Sequence, residues 1–169
     1  MSEESGNVIE TSAQEPVIPA GHLEKPLLSL LYLGKNDSYQ EGFTTRLMHV
    51  LAYTEHVLEH LNYLDLVEIV IVDWGSKNPL YDEITHGIKG RANFVFYEVS
   101  PDMADAEGQG LPVHTSKAVN AGIRRSKGKY VLTSGADQFL SPSSMFSLVS
   151  FLQEPVKFGL TGEEYFLAP

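Results

Sequence analysis

Apolar and polar positions alternate along the chain in blocks. Leu27-Leu-Ser-Leu-Leu-Tyr-Leu33 is a short continuous apolar run, the pattern of a strand buried on both faces. A polar loop from Gly34 to Gly42 follows. From Phe43 to Leu64, the residues Leu47, Val50, Leu51, Leu58 and Leu61 recur at helical spacing. Val67-Glu-Ile-Val-Ile-Val-Asp73 repeats the buried-strand pattern. It leads through the turn Trp74 to Pro79 into a short helix ending near Gly87, with Pro79 suited to the first helical turn. Asn93 to Val99 predicts a third strand, and Ser100 to Pro112 a long polar loop. Thr115 to Ser126 predicts a helix closed by Lys127-Gly128. Tyr130 to Ser134 is a fourth strand. Ser141 caps a helix that starts at Pro142 and runs to Leu152, and Phe158 to Leu167 suggests a last strand.

Strands alternating with helices predict an α/β fold: a Rossmann-type sandwich with a mainly parallel sheet and helices on both faces. Ligands of such sheets bind at the carboxyl ends of the strands. Asn36 and Asp37 follow the first strand there, Asp73, Gly75 and Ser76 the second, and Gly135, Asp137 and Gln138 the fourth.

Composition narrows the picture. The 169 residues suit one domain, and 43% are apolar, close to the globular average. There is no cysteine, which excludes disulfides and thiolate metal sites. No apolar run approaches the ~18 residues that span a bilayer, and Met1-Ser-Glu-Glu-Ser5 is unlike a signal peptide. The expected location is therefore cytoplasmic, with peripheral membrane contact still open. Residues 1–25 mix Glu, Ser, Gly, Thr and Pro and are expected to form a disordered or loosely attached acidic tail, leaving 26–169 as the domain. The net charge is −10, against the basic face that a nucleic-acid polymer requires. A nucleotide pocket needs only a few donors.

Three constellations could carry chemistry. In Val72-Asp73-Trp74-Gly75-Ser76, a carboxylate at a strand end can accept hydrogen bonds from a base or a ribose. Gly75 permits a sharp turn with close backbone approach. The same residues also suit an Asx-type turn closing the strand. On the helix after His114, Lys117, Asn120 and Arg124 share a face, while Ala118, Ala121 and Gly122 are small enough for close packing on the sheet. That face suits a diphosphate at a helix start, or it is a solvated basic face. Asp137, just past a strand, can ligate a hard divalent cation together with phosphate oxygens and water, or it is a loop carboxylate. The Gly108-Gln-Gly110 triplet lacks the third glycine and the strand-to-helix setting of a dinucleotide fingerprint.

Taken in order, these pieces resemble glycosyltransferase family 2, which has the GT-A fold. Glu68 to Ser76 is similar to the family's strand ending in Asp-Asp-Gly-Ser. Ser116 to Leu132 resembles its Ala-x-Asn-x-Gly helix followed by Lys-Gly-x-Tyr and a strand. Ala136-Asp137 through Ser141-Pro142 resembles its Asp-x-Asp loop. The resemblance covers residues 27–152. It implies an enzyme that moves a sugar from a nucleotide-diphosphate sugar to a glycan or other hydroxyl acceptor, with inversion and metal assistance.

Carried over by position, the resemblance puts Asp73 at the base or ribose, with Gly75 and Ser76 in the same turn. Leu33 to Asp37, with Leu33, Asn36 and Asp37 as its binding residues, would form the loop under the base. Lys117, Asn120 and Ala136 would lie near the sugar diphosphate, and Asp137 would ligate Mg2+ or Mn2+ bound together with the nucleotide. The departures are Trp74 for the second Asp of the first motif and Gly135 for the first Asp of Asp-x-Asp. The family's general base lies downstream, and Glu163 and Glu164 come too early to match it. The ending Phe166-Leu-Ala-Pro169 is what a domain shortened at its C-terminus would show. The alternative is a catalytically incomplete module that binds a nucleotide sugar without the acceptor half or the base.

Overall fold

A computed structural model describes residues 25–37 and 41–158. The expected tail therefore lies outside the described residues apart from Lys25, and so do Glu163 and Glu164. Four strands, β1 (Leu28–Gly34), β2 (Val67–Trp74), β3 (Asn93–Val99) and β4 (Tyr130–Thr133), form one sheet in the order β3-β2-β1-β4. Every pairing is parallel, as the alternating pattern predicts. The helices are α1 (Phe43–His60), α2 (Leu80–Ile84), α3 (Pro101–Gly108), α4 (Thr115–Arg125) and α5 (Pro142–Gln153).

The apolar runs divide between two cores because successive side chains of a strand point to opposite faces. Leu28, Leu30, Tyr32, Ile69, Ile71, Phe94 and Phe96 pack with residues of α1, α2 and α5. Leu31, Val70, Val72 and Trp74 pack on the other face with Ala104 of α3 and Ala118 of α4. Helices thus cover both faces of the sheet. The second face is closed by small residues. At Gly122 a Cβ would lie 2.4 Å from Leu31 Cδ1, so α4 presses on the sheet as closely as its small residues suggest.

Two elements depart from the sequence reading. Ser100 to Pro112 was expected to be loop, yet α3 occupies Pro101–Gly108: Ser100 Oγ accepts from the Met103 N–H and Pro101 stands in the first turn. This is the same Ser-Pro start that opens α5, with good capping and pre-set φ. Helix α1 stops at His60 rather than Leu64. Asn62 adopts φ 57°, its N–H donates to Glu59 O, and the Tyr63 N–H donates to Leu58 O. This is a Schellman closure with Asn as the left-handed residue. Smaller shifts affect α2, which begins after Pro79 and ends at Ile84, and β4, which ends at Thr133. Phe158 closes a 3-10 turn from Pro155, and the remainder of the expected last strand lies outside the described residues.

Two buried glutamates set the amino ends of the strands. Glu55 of α1 accepts from the backbone N–H groups of Lys89, Arg91 and Ala92 just before β3. Glu68 accepts from Ser29 Oγ and from the N–H groups of Lys127 and Gly128 just before β4. Both are about 1% exposed, and both satisfy turn donors that would otherwise be buried without partners. They lie at the end of the sheet opposite the loops considered next.

Candidate functional site

The chain leaves β1 toward one edge of the sheet through β2 and β3, then returns to the other side of β1 as β4. The carboxyl ends of β1 and β4 therefore flank a topological switch point, where parallel sheets leave a crevice between diverging loops. A cleft of about 480 Å3 opens there. Leu33, Gly34, Lys35 and Asp37 line it from the end of β1, and Phe43 and Arg46 from the first turn of α1. Leu111, Pro112, Val113 and Thr115 form the wall leading into α4, and Ala136 and Asp137 close it after β4.

Of the residues singled out from sequence, Leu33, Asp37, Ala136 and Asp137 thus share one cleft. Asp73 does not line it. Parallel register sets Gly34 beside Asp73, so the turn after β2 lies under the loop after β1. Asp73 is 4% exposed. Its Oδ1 accepts from the Ser76 N–H at 3.1 Å and from the Ser76 hydroxyl, and its Oδ2 accepts from the Leu80 N–H at 2.8 Å. Burial pushes the Asp73 carboxyl above the usual carboxylate range, against the pull of the Leu80 and Ser76 donors and of the Lys35 charge. Ser76 Oγ in turn accepts from the Asn36 N–H at 2.7 Å. Asn36 Nδ2 donates to Asn78 O and its Oδ1 accepts from Thr44 Oγ1. Asp73, Ser76 and Asn36 therefore form a relay tying the β2 turn to the loop that floors the cleft. Gly75 has φ 74°, and a Cβ there would lie 2.4 Å from Ala104 Cβ. Its role in the fold is to let α3 approach the turn.

Lys117 and Asn120 are on α4 but do not line the cleft. Lys117 Nζ donates to the backbone carbonyl of Glu107 at 2.9 Å and to its carboxylate, which bridges α3 to α4. The Lys117 hydrogen bond and charge hold the Glu107 carboxyl below its ordinary range. Trp74, standing where the resembling family has a second Asp, is 4% exposed in the core under α3 and α4. That position anchors packing and brings no carboxylate to the cleft.

The fit of a divalent cation can be judged from the loop after β4. A Cβ at Gly135 would lie 2.8 Å from Asp137 Oδ1. The Asp137 carboxylate thus lies back against the backbone at the position where a partner acid would stand. Among the described residues no group of three His, Cys, Asp or Glu side chains is gathered for a metal. A single carboxylate does not fit a metal ion held by the protein alone; Mg2+ takes one or two carboxylates and completes its shell with water and phosphate oxygens.

Lys35 falls within the loop 33–37 expected from sequence, whereas Phe43, Arg46, Thr115 and the 111–113 wall are additional lining residues. They come from separate elements without a linear motif, and only the packing of α1 and α4 beside β1 brings them together. Comparison with protein-family models finds no match, and comparison with curated proteins finds no significant similarity.

Proposed function

We propose that the chain is the donor-binding part of a GT-A-like glycosyltransferase resembling family 2, taking a nucleotide-diphosphate sugar in the cleft between β1 and β4. The observation that carries this reading is the position of that cleft at the switch point of an all-parallel sheet. Its mixed lining supports it: Leu33, Phe43 and Val113 offer apolar surface to a planar base, while Lys35, Arg46 and Thr115 offer donors to phosphate. Asp73 acts here as a positioning residue, through Ser76 and Asn36, rather than as a direct contact. Lys117 and Asn120 lie further along α4, whose first residue, Thr115, lines the cleft.

In the reaction proposed, an acceptor hydroxyl attacks the anomeric carbon, the bond from that carbon to the diphosphate oxygen breaks, and a carboxylate base takes the hydroxyl proton. The cleft's own carboxylates are Asp37 and Asp137. The described residues bring no separate acceptor half, so donor binding is the part proposed for this chain. A Mg2+ or Mn2+ ion taking part would arrive on the diphosphate rather than be held by the protein beforehand. Among the described residues no helix is long and apolar enough to cross a membrane; a cytoplasmic setting is part of the proposal.

A thermal-shift panel of nucleoside diphosphates tests the reading. At ~100 times its dissociation constant a ligand adds about 2.7 kcal/mol, and in a chain of this length that raises Tm by about 5 to 10 °C. The absence of a shift with every nucleoside diphosphate at millimolar concentration would sink the proposal. Release of free sugar from a nucleotide sugar, or its transfer to an acceptor, would separate an enzyme from a binding module that holds the donor without turnover.

A further inference from the structure

We propose that Lys35 and Arg46 form a two-cation phosphate subsite at the β1 end of the cleft, and that this pair carries the charge compensation for a bound diphosphate that a metal ion would otherwise supply. The inference rests on the nucleotide reading for its natural ligand, but the subsite is defined by its own chemistry.

Lys35 directly follows β1 and Arg46 lies one turn into α1, and both line the same cleft. Among the described residues, Arg46 Nη1 donates to the Glu41 carbonyl at 2.7 Å. A guanidinium has five N–H donors in a planar fork, and that fork matches phosphate oxygens in pairs. Phe43 and Thr115, the first residues of α1 and α4, line the cleft as well. The partial positive charge of two helix starts therefore adds to that of the side chains. The acids oppose it: Asp37 and Asp137 share the cleft, so its formal charge is neutral before an anion enters. A diphosphate is best accommodated where Lys35 and Arg46 lie, away from Asp137 on the β4 side.

The competing solution, a metal held by paired carboxylates, is the one the β4 loop is poorly built for. Position 135 is glycine, and the Asp137 carboxylate occupies the space a side chain there would need. Two cations on the β1 and α1 side, with Asp37 beside them, and a single acid on the β4 loop are complementary observations. Both point to direct protein–phosphate contacts.

Isothermal calorimetry at low salt tests this with three probes, UDP, ADP and inorganic pyrophosphate, each measured in EDTA and again with Mn2+. Pyrophosphate and at least one nucleotide are expected to bind in EDTA, with Mn2+ improving affinity by less than about threefold. Lys35→Ala and Arg46→Ala are each expected to weaken binding roughly tenfold, as for loss of a hydrogen bond to a charged group. Arg46→Lys, which keeps the charge and loses the fork, should fall between Arg46→Ala and the unmodified protein. Lys89→Ala, on the turn before β3 at the opposite end of the sheet, makes the same charge change and should stay within about twofold, as a screened distant charge does. Circular dichroism and Tm of each variant establish that it is folded. Binding that requires Mn2+, or Lys35 and Arg46 variants indistinguishable from Lys89→Ala, would overturn the subsite. Pyrophosphate binding that depends on Arg46, with neither nucleotide bound, would overturn the nucleotide reading and leave the subsite standing. If none of the three probes binds, both fall.

Discussion

Replacing Asp73 separates a structural carboxylate from a ligand contact. In Asp73→Ala, three donors lose their acceptor: the Ser76 N–H, the Ser76 hydroxyl and the Leu80 N–H. The site is 4% exposed, so water replaces the lost acceptor poorly. Each unsatisfied buried donor costs about 1 to 3 kcal/mol. Because these donors belong to one turn, their losses are not additive, and we expect a total of about 3 to 5 kcal/mol. For a chain of 169 residues that lowers Tm by about 6 to 20 °C. Urea unfolding followed by circular dichroism gives the number. A loss below about 1 kcal/mol with an unchanged denaturant slope would show that the turn finds other partners, and the relay would be wrong.

The isosteric Asp73→Asn variant adds a pH test. Burial raises the folded-state pKa of Asp73 above its unfolded value, so the folded protein binds more protons than the unfolded chain between the two values. Stability from this group therefore falls as pH rises through that window and returns as pH is lowered toward about 3.8. The unmodified protein should gain on Asp73→Asn as pH decreases from neutral. Using the difference between the two proteins cancels the other carboxylates. A difference that shrinks on acidification would mean that the Ser76 and Leu80 donors outweigh burial.

Two further outcomes follow from the packing and the surface. Gly122→Val places a branched side chain where a Cβ alone would already lie 2.4 Å from Leu31; it should cost about 1 to 3 kcal/mol by overpacking, and a neutral result in urea unfolding would show that α4 can lift from the sheet. Glu107 should titrate below an ordinary glutamate in an NMR pH series because of Lys117, and Lys117→Ala should return it to the ordinary range; an unchanged midpoint would mean that the bridge between α3 and α4 does not persist in solution.

The sequence by itself determined the layered architecture. Continuous apolar runs such as Leu28 to Leu33 and Val67 to Val72 can be satisfied only by burial on both faces, and that forces helices onto each side of a parallel sheet. The same runs located the strand ends, and through them Asp37 and Asp137; the resemblance added Leu33 and Ala136, and all four line one cleft. Helix α3 is not legible from periodicity because it lacks an apolar stripe: only Ala104 and Gly108 are buried, its acids give it loop composition, and only the Ser100-Pro101 start marks it as a helix. Tertiary structure alone decided what each polar group faces. Asp73 could have pointed at a ligand or at its own turn; three donors of that turn hold it. Lys117 could have reached a phosphate; the previous helix supplies Glu107. Lys35 and Arg46 are eleven positions apart in sequence and carry no shared motif. They line one cleft because α1 begins beside the carboxyl end of β1, a relation fixed by the buried face of the helix and unrelated to the charges it carries on its other side.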